Sequence, residues 1–123
     1  MGEKNACASA PKLIFSCSGA ADVGAIADQA ARKLTKDGVG KMYCTAGLSG
    51  RVPGIMTTTQ SAARILAIDG CPLNCVKSSL DQAGFKTYEH LQLADLGLAK
   101  GQTPPSPEAI AKVAAAGAAK LVC

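Results

Sequence analysis

Arg64-Ile65-Leu66-Ala67-Ile68-Asp69-Gly70-Cys71-Pro72 sets four apolar residues in a row between an arginine and an aspartate, and then breaks off. An aliphatic run without polar alternation is what a strand shows when a parallel sheet buries both its faces. Gly70 and Pro72 end the run, proline suits a first helical turn, and Leu73, Val76, Leu80 and Ala83 follow at helical spacing until Gly84. A strand crossing into a helix is therefore expected here, with Cys71 and Cys75 at the junction.

The same alternation extends to either side. Lys12-Leu13-Ile14-Phe15-Ser16-Cys17 reads as a short buried strand, and Val23, Ile26, Ala27, Ala30, Ala31 and Leu34 mark an amphipathic helix that Gly38 stops. Lys41 to Ala46 reads as a second strand. An irregular loop holding Gly47, Gly50, Pro53 and Gly54 then leads through Thr57-Thr58-Thr59 into a weak helix. Phe85 to Leu93 is expected as a fourth strand. Beyond the turn of Pro104-Pro105-Ser106-Pro107 comes an alanine-rich helix over about 107–120. Strands alternating with helices imply an α/β protein with a mainly parallel sheet of about four strands, and analogy suggests the order 2-1-3-4. In a parallel sheet all carboxyl ends share one edge. Cys17, Cys44, Cys71 and Cys75 all fall at that edge.

A chain of 123 residues is expected to form one domain, with a core over about 12–101. Its only aromatic residues are Phe15, Tyr43, Phe85 and Tyr88, so alanine and aliphatic side chains must fill the core by close packing. The net charge of +4 comes from scattered lysines with no basic stripe, and few aromatics are present to stack on bases. Nucleic acid is not an expected partner. Met1 to Cys7 holds no apolar run of the secretory kind, and no stretch approaches a membrane span, so a cytoplasmic protein away from the membrane is expected. Thiols are kept reduced in that compartment. Cysteines there point to metal or thiol chemistry more than to structural disulfides, with Cys7 and Cys123 left for a transient bond.

Four thiolates satisfy the tetrahedral demand of a closed zinc site. Cys71 and Cys75 are expected one turn apart across the strand-to-helix junction, where the helix N-terminus favours the negative charge of a metal-binding thiolate. Cys17 joins them, and Cys44 is the expected fourth ligand. Cys44 is also the one most open to the bland reading of a buried core cysteine, with Cys7 as its replacement.

At Asp69-Gly70-Cys71 the chain resembles the DGC domain family. Cys17-Ser18-Gly19, the following Ala20 to Gly24, Cys44-Thr45-Ala46-Gly47 and Ala94-Asp95-Leu96-Gly97 match as well, so the resemblance runs from about Lys12 to Gly101. It implies a small Rossmann-like domain, a three-layer sandwich, with zinc as cofactor and with Cys17, Cys44, Cys71 and Cys75 as the matching cysteines. It supplies no reaction.

The rival to a metal-binding or redox-sensing module is a thiol-based redox or thiol-transfer enzyme using Cys17, Cys71 and Cys75. The Cys71 and Cys75 spacing is not that of thioredoxin motifs. Cys17 opens a loop similar to that of small tyrosine phosphatases, but Val23 stands where their phosphate-clamping arginine falls. Ala20, Ala21 and Asp22 offer little to a phosphate, which also counts against the cysteine-phosphorylated sugar-transport subunits that the loop resembles. Gly19 to Gly24 has neither dinucleotide spacing nor a Walker lysine. An iron–sulfur cluster ranks below zinc because the spacing follows no common ferredoxin run.

Among single residues, Asp69 is expected to accept loop amides, Gly70 to permit a close approach, and Ser18 to cap the first helix. His90 reads as an ordinary strand histidine and Asp95 as a solvated loop carboxylate. The tail helix, through Ile110, Val113, Ala114 and Leu121, packs on the sheet or meets a protein partner or a second copy of the chain.

Overall fold

A computed structural model of the protein describes residues 10–122. Cys7 and Cys123, weighed above, lie outside the described residues. The strands β1 (Lys12–Ser16), β2 (Lys41–Met42), β3 (Arg64–Asp69) and β4 (Glu89–Gln92) form one sheet in the order β2-β1-β3-β4. Every pairing is parallel, and β1 and β3 are matched from Lys12 with Arg64 to Ser16 with Ile68. This is the expected α/β sheet in the expected order. Its aliphatic runs occupy the two central positions, where both faces are covered.

Helices lie on both sides. Helix α1 (Asp22–Lys36) and helix α5 (Pro107–Lys120) pack on each other. Their layer shares a core with Ile14, Leu66 and Ile68. Alanines make this layer thin: Ala27, Ala30 and Ala31 are wholly buried. A methyl group added at Gly117 on α5 would come within 3.1 Å of both Leu34 and Leu66. The opposite layer holds α2 (Thr45–Ser49), α3 (Pro53–Gln60) and α4 (Cys75–Gln82). Leu48, Val76 and Leu80 meet Leu13, Phe15, Ile65 and Ala67 there, so successive residues of β1 and β3 feed alternate cores.

The outer strands are shorter than their sequences suggest. Strand β2 ends at Met42, and the chain turns at Cys44 into α2. The Thr45 hydroxyl donates to the Ser16 carbonyl at 2.9 Å, taking the acceptor that a longer β2 would have used. Helix α2 thus takes Thr45 and Ala46 from the expected strand and the start of the stretch read as an irregular loop, before the expected helix α3. Strand β4 begins only at Glu89 because Phe85 belongs to the end of α4. Gly84, at φ +91°, donates to the Asp81 carbonyl, and the Phe85 N–H reaches back to the Leu80 carbonyl. That is a Schellman closure, and Gly38 at φ +76° closes α1 in the same way, with Val39 reaching Leu34. Strand β4 stops at Gln92, and a 3₁₀ turn over Leu93–Leu96 carries Asp95 into solvent. No helix among the described residues is long and apolar enough to cross a membrane.

Candidate functional site

The cysteine edge is built around two junctions, β1 to α1 and β3 to α4, which lie against each other because β1 and β3 are neighbours. In the first, Cys17 continues β1 by donating its N–H to the Ile68 carbonyl at 3.1 Å. Its sulfur accepts the Gly70 N–H of the other junction at 3.3 Å. A sulfur bearing negative charge accepts such a bond more strongly than a neutral one. Ser18 then takes a left-handed conformation, φ +53°, and its hydroxyl donates to Asp28 Oδ1 at 2.8 Å and pairs with the Ser16 hydroxyl at 2.6 Å. It does not cap α1, whose N-cap residue is Ala21. The side chain goes to Asp28 instead, because the helix begins only at Asp22.

In the second junction Asp69 is 1% exposed and accepts three bonds. The N–H groups of Val76 and Lys77 donate to its two oxygens at 2.8 and 3.1 Å, and His90 Nε2 lies 2.8 Å from Oδ2. Asp69 therefore caps α4 from the end of the preceding strand. The helix starts at Cys75, not at Pro72, and leaves Leu73 74% exposed. Between them the loop is held by Gln92, whose amide donates to the Cys71 carbonyl at 2.8 Å and to Asn74 Oδ1 at 2.6 Å. Asn74 stands at φ +55°. Gly70 answers to space: a methyl group there would meet the Val23 carbonyl oxygen at 2.5 Å.

All four edge cysteines carry free thiols. Cys17 and Cys71 are half-buried against the α1 core, whereas Cys44 and Cys75 are exposed. Cys44 is not a strand residue. It is the N-cap of α2, and its sulfur accepts the Gly47 N–H at 3.2 Å. Cys71 lies outside α4, so it and Cys75 do not share a helical turn. Among the described residues, no three His, Cys, Asp or Glu side chains are grouped so as to hold a metal ion.

Three contributions were not legible in the sequence. His90, read as an ordinary strand histidine, is the third partner of Asp69, and Gln92 holds the Cys71 loop. Both follow from the parallel register, which sets Asp69 beside Gln92 and Ala67 beside His90. The third is Arg32, whose Nε donates to Asp28 Oδ2 at 2.7 Å. Its i,i+4 spacing from Asp28 was visible, but not its place beside the Cys17 loop.

An all-parallel sheet whose central carboxyl ends present thiols, one of them bonded across the two crossovers, defines a small α/β cysteine protein. The chain belongs to the DGC domain family, whose domain matches residues 13–116. It is also similar to the anaerobic and virulence modulator AnvM of Pseudomonas aeruginosa, at 39% identity over 88 residues, which cover 72% of this chain and 67% of that protein. No solved structure matches the chain.

Proposed function

We propose that the protein is a thiol-based regulatory module that responds to the ambient thiol–disulfide balance through Cys17, Cys71 and Cys75. The bond between the Cys17 sulfur and the Gly70 N–H carries this reading. A covalent change at Cys17 removes an acceptor from the Asp69–Gly70 peptide, one residue before Cys71. Asp69, on the other side of that peptide, caps α4 and bonds His90. The chemical state of one thiol is thus linked within two residues to the placement of a helix and of two further thiols. The similarity to a protein named as a modulator supports a regulatory role.

A zinc site drawn from Cys17, Cys44, Cys71 and Cys75 is the second reading. Their shared position at one edge of a parallel sheet favours it. It stands second because no three such side chains are grouped among the described residues.

Metal content and thiol titration of anaerobically purified protein separate the two readings. The measurement is repeated with Cys17, Cys44, Cys71 and Cys75 each changed to serine. Metal-free protein in which Cys17, Cys71 or Cys75 is reversibly oxidised and reduced supports the first. About one zinc per chain, lost together with the fold in most variants, would overturn it in favour of the second.

A further inference from the structure

Beside the Cys17 loop lies a cavity of about 430 Å³, between the carboxyl ends of β1 and β2. Cys17, Ser16, Ser18, Asp28, Arg32, Tyr43 and Thr45 are among the residues that line it, Asp28 being its one carboxylate. A shallower groove shares Arg32 and Tyr43 with the cavity and reaches Cys44. The volume suits a small organic molecule and exceeds what a single ion fills. The lining is rich in hydroxyls, so the occupant must be polar.

Arg32 identifies its charge. Asp28 is pinned by Ser18 on one oxygen and by Arg32 Nε on the other, which holds the guanidinium over the Cys17 loop. The two terminal nitrogens of Arg32 have no partner among the described residues, and its side chain is 62% exposed. A guanidinium with its fork free, at a polar hollow that a thiol also lines, is suited to a carboxylate.

We propose that the cavity binds a small carboxylate-bearing disulfide and that Cys17 exchanges with it. This rests on the thiol reading above and names its substrate class. Cys17 gives up its proton to solvent, and its sulfur attacks one sulfur of the bound molecule. The S–S bond of the small disulfide breaks as the new bond to Cys17 forms. The departing thiolate keeps the electron pair and takes a proton from solvent. The disulfide is itself the oxidant, so no other reagent is required. The product is a mixed disulfide on Cys17 whose carboxylate rests on Arg32.

The test treats the full chain with dithiodipropionate, which carries carboxylates, and with the uncharged hydroxyethyl disulfide. Mixed disulfide at Cys17 and at exposed Cys75 is followed by peptide mass spectrometry. Cys75 corrects for the intrinsic reactivity of the reagents and for the positive charge of the whole protein. Relative to Cys75, Cys17 should favour the anionic reagent by about tenfold, the factor one charge-assisted contact supplies. Arg32→Gln should bring the Cys17 preference down to that of Cys75. If Cys17 reacts with the same preference as Cys75, or if Arg32→Gln leaves its preference intact, the carboxylate site is wrong while the thiol reading stands. A Cys17 inert to both reagents while Cys75 reacts would sink the exchange at Cys17 and leave the thiol reading to Cys71 and Cys75.

Discussion

The two central crossovers begin alike, each with a strand that ends in a small-residue turn, yet they are held in opposite ways. From β3 to α4 the backbone is pinned at every step: Asp69 caps the helix, Gln92 ties down Cys71 and Asn74, and Gly70 presses on Val23. From β1 to α1, Gly19 has nothing within 4 Å of where a side chain would begin, Ala21 offers no side-chain cap, and the hydroxyls of the turn face a cavity. One junction is a support, and the other is an opening. The sulfur of Cys17 spans them, which places a reactive group of the open side on a backbone N–H of the rigid one.

The largest test of this contrast is at Asp69. Asp69→Ala strips a buried acceptor from two N–H groups at the start of α4 and from His90, at a cost of about 3 kcal/mol. Ser18→Ala, at the open junction, removes only bonds of an exposed hydroxyl and should cost about 0.5–1 kcal/mol. Urea denaturation of both variants measures the difference. Equal losses would show that the two crossovers are not distinct in kind.

Next in size is a methyl group added on each side. At Gly70 it would lie 2.5 Å from the carbonyl oxygen of Val23 and 2.9 Å from the nitrogen of Gly24, backbone that cannot yield without shifting α1. Gly70→Ala should therefore cost about 1–3 kcal/mol or more. Gly19→Ala meets open space and should stay within about 0.5 kcal/mol of the parent. Denaturation midpoints decide it. A Gly70→Ala protein as stable as the parent would mean that the close contact between the junctions is not required.

What could be read before the structure follows the same division. The aliphatic runs of β1 and β3, the helical spacing in α1 and the glycines that stop α1 and α4 are local patterns, and they were legible with the sheet order and the shared cysteine edge. Strand lengths at the sheet margins were not. They depend on a hydroxyl 29 residues away taking the Ser16 carbonyl, and on Phe85 being claimed by the helix before it. The candidate site was legible as a set of thiols, but not as an arrangement. Whether Cys71 and Cys75 share a turn depends on Asp69, Asn74 and Gln92, and Gln92 comes from β4, 18 residues after Asn74.

The smallest effect concerns a second fastening of the open junction, beside the bond from Ser18 to Asp28. Asp22, the first residue of α1, accepts the N–H groups of Gly101 and Thr103 at 2.9 and 3.0 Å and so ties a distant loop to the start of the helix. Those two amides, Gly101 first, hold its carboxyl below the usual value of 3.8, against the smaller opposing effect of burial. A carboxyl depressed in the folded protein stabilises the fold while pH stays above its unfolded value, and the contribution is lost as pH falls through the folded one. The clasp is thus intact at neutral pH and opens only under acid. Because the group is only half-buried, the response should be local, visible as hydrogen exchange at Gly101 and Thr103 and not as global unfolding. Asp22→Asn should show weaker protection at neutral pH and no further change on acidification. Protection at these amides that is unaltered through the acid range in the parent protein would mean that the loop is held by something other than Asp22, and the first junction would then be fastened to α1 through Ser18 and Asp28 alone.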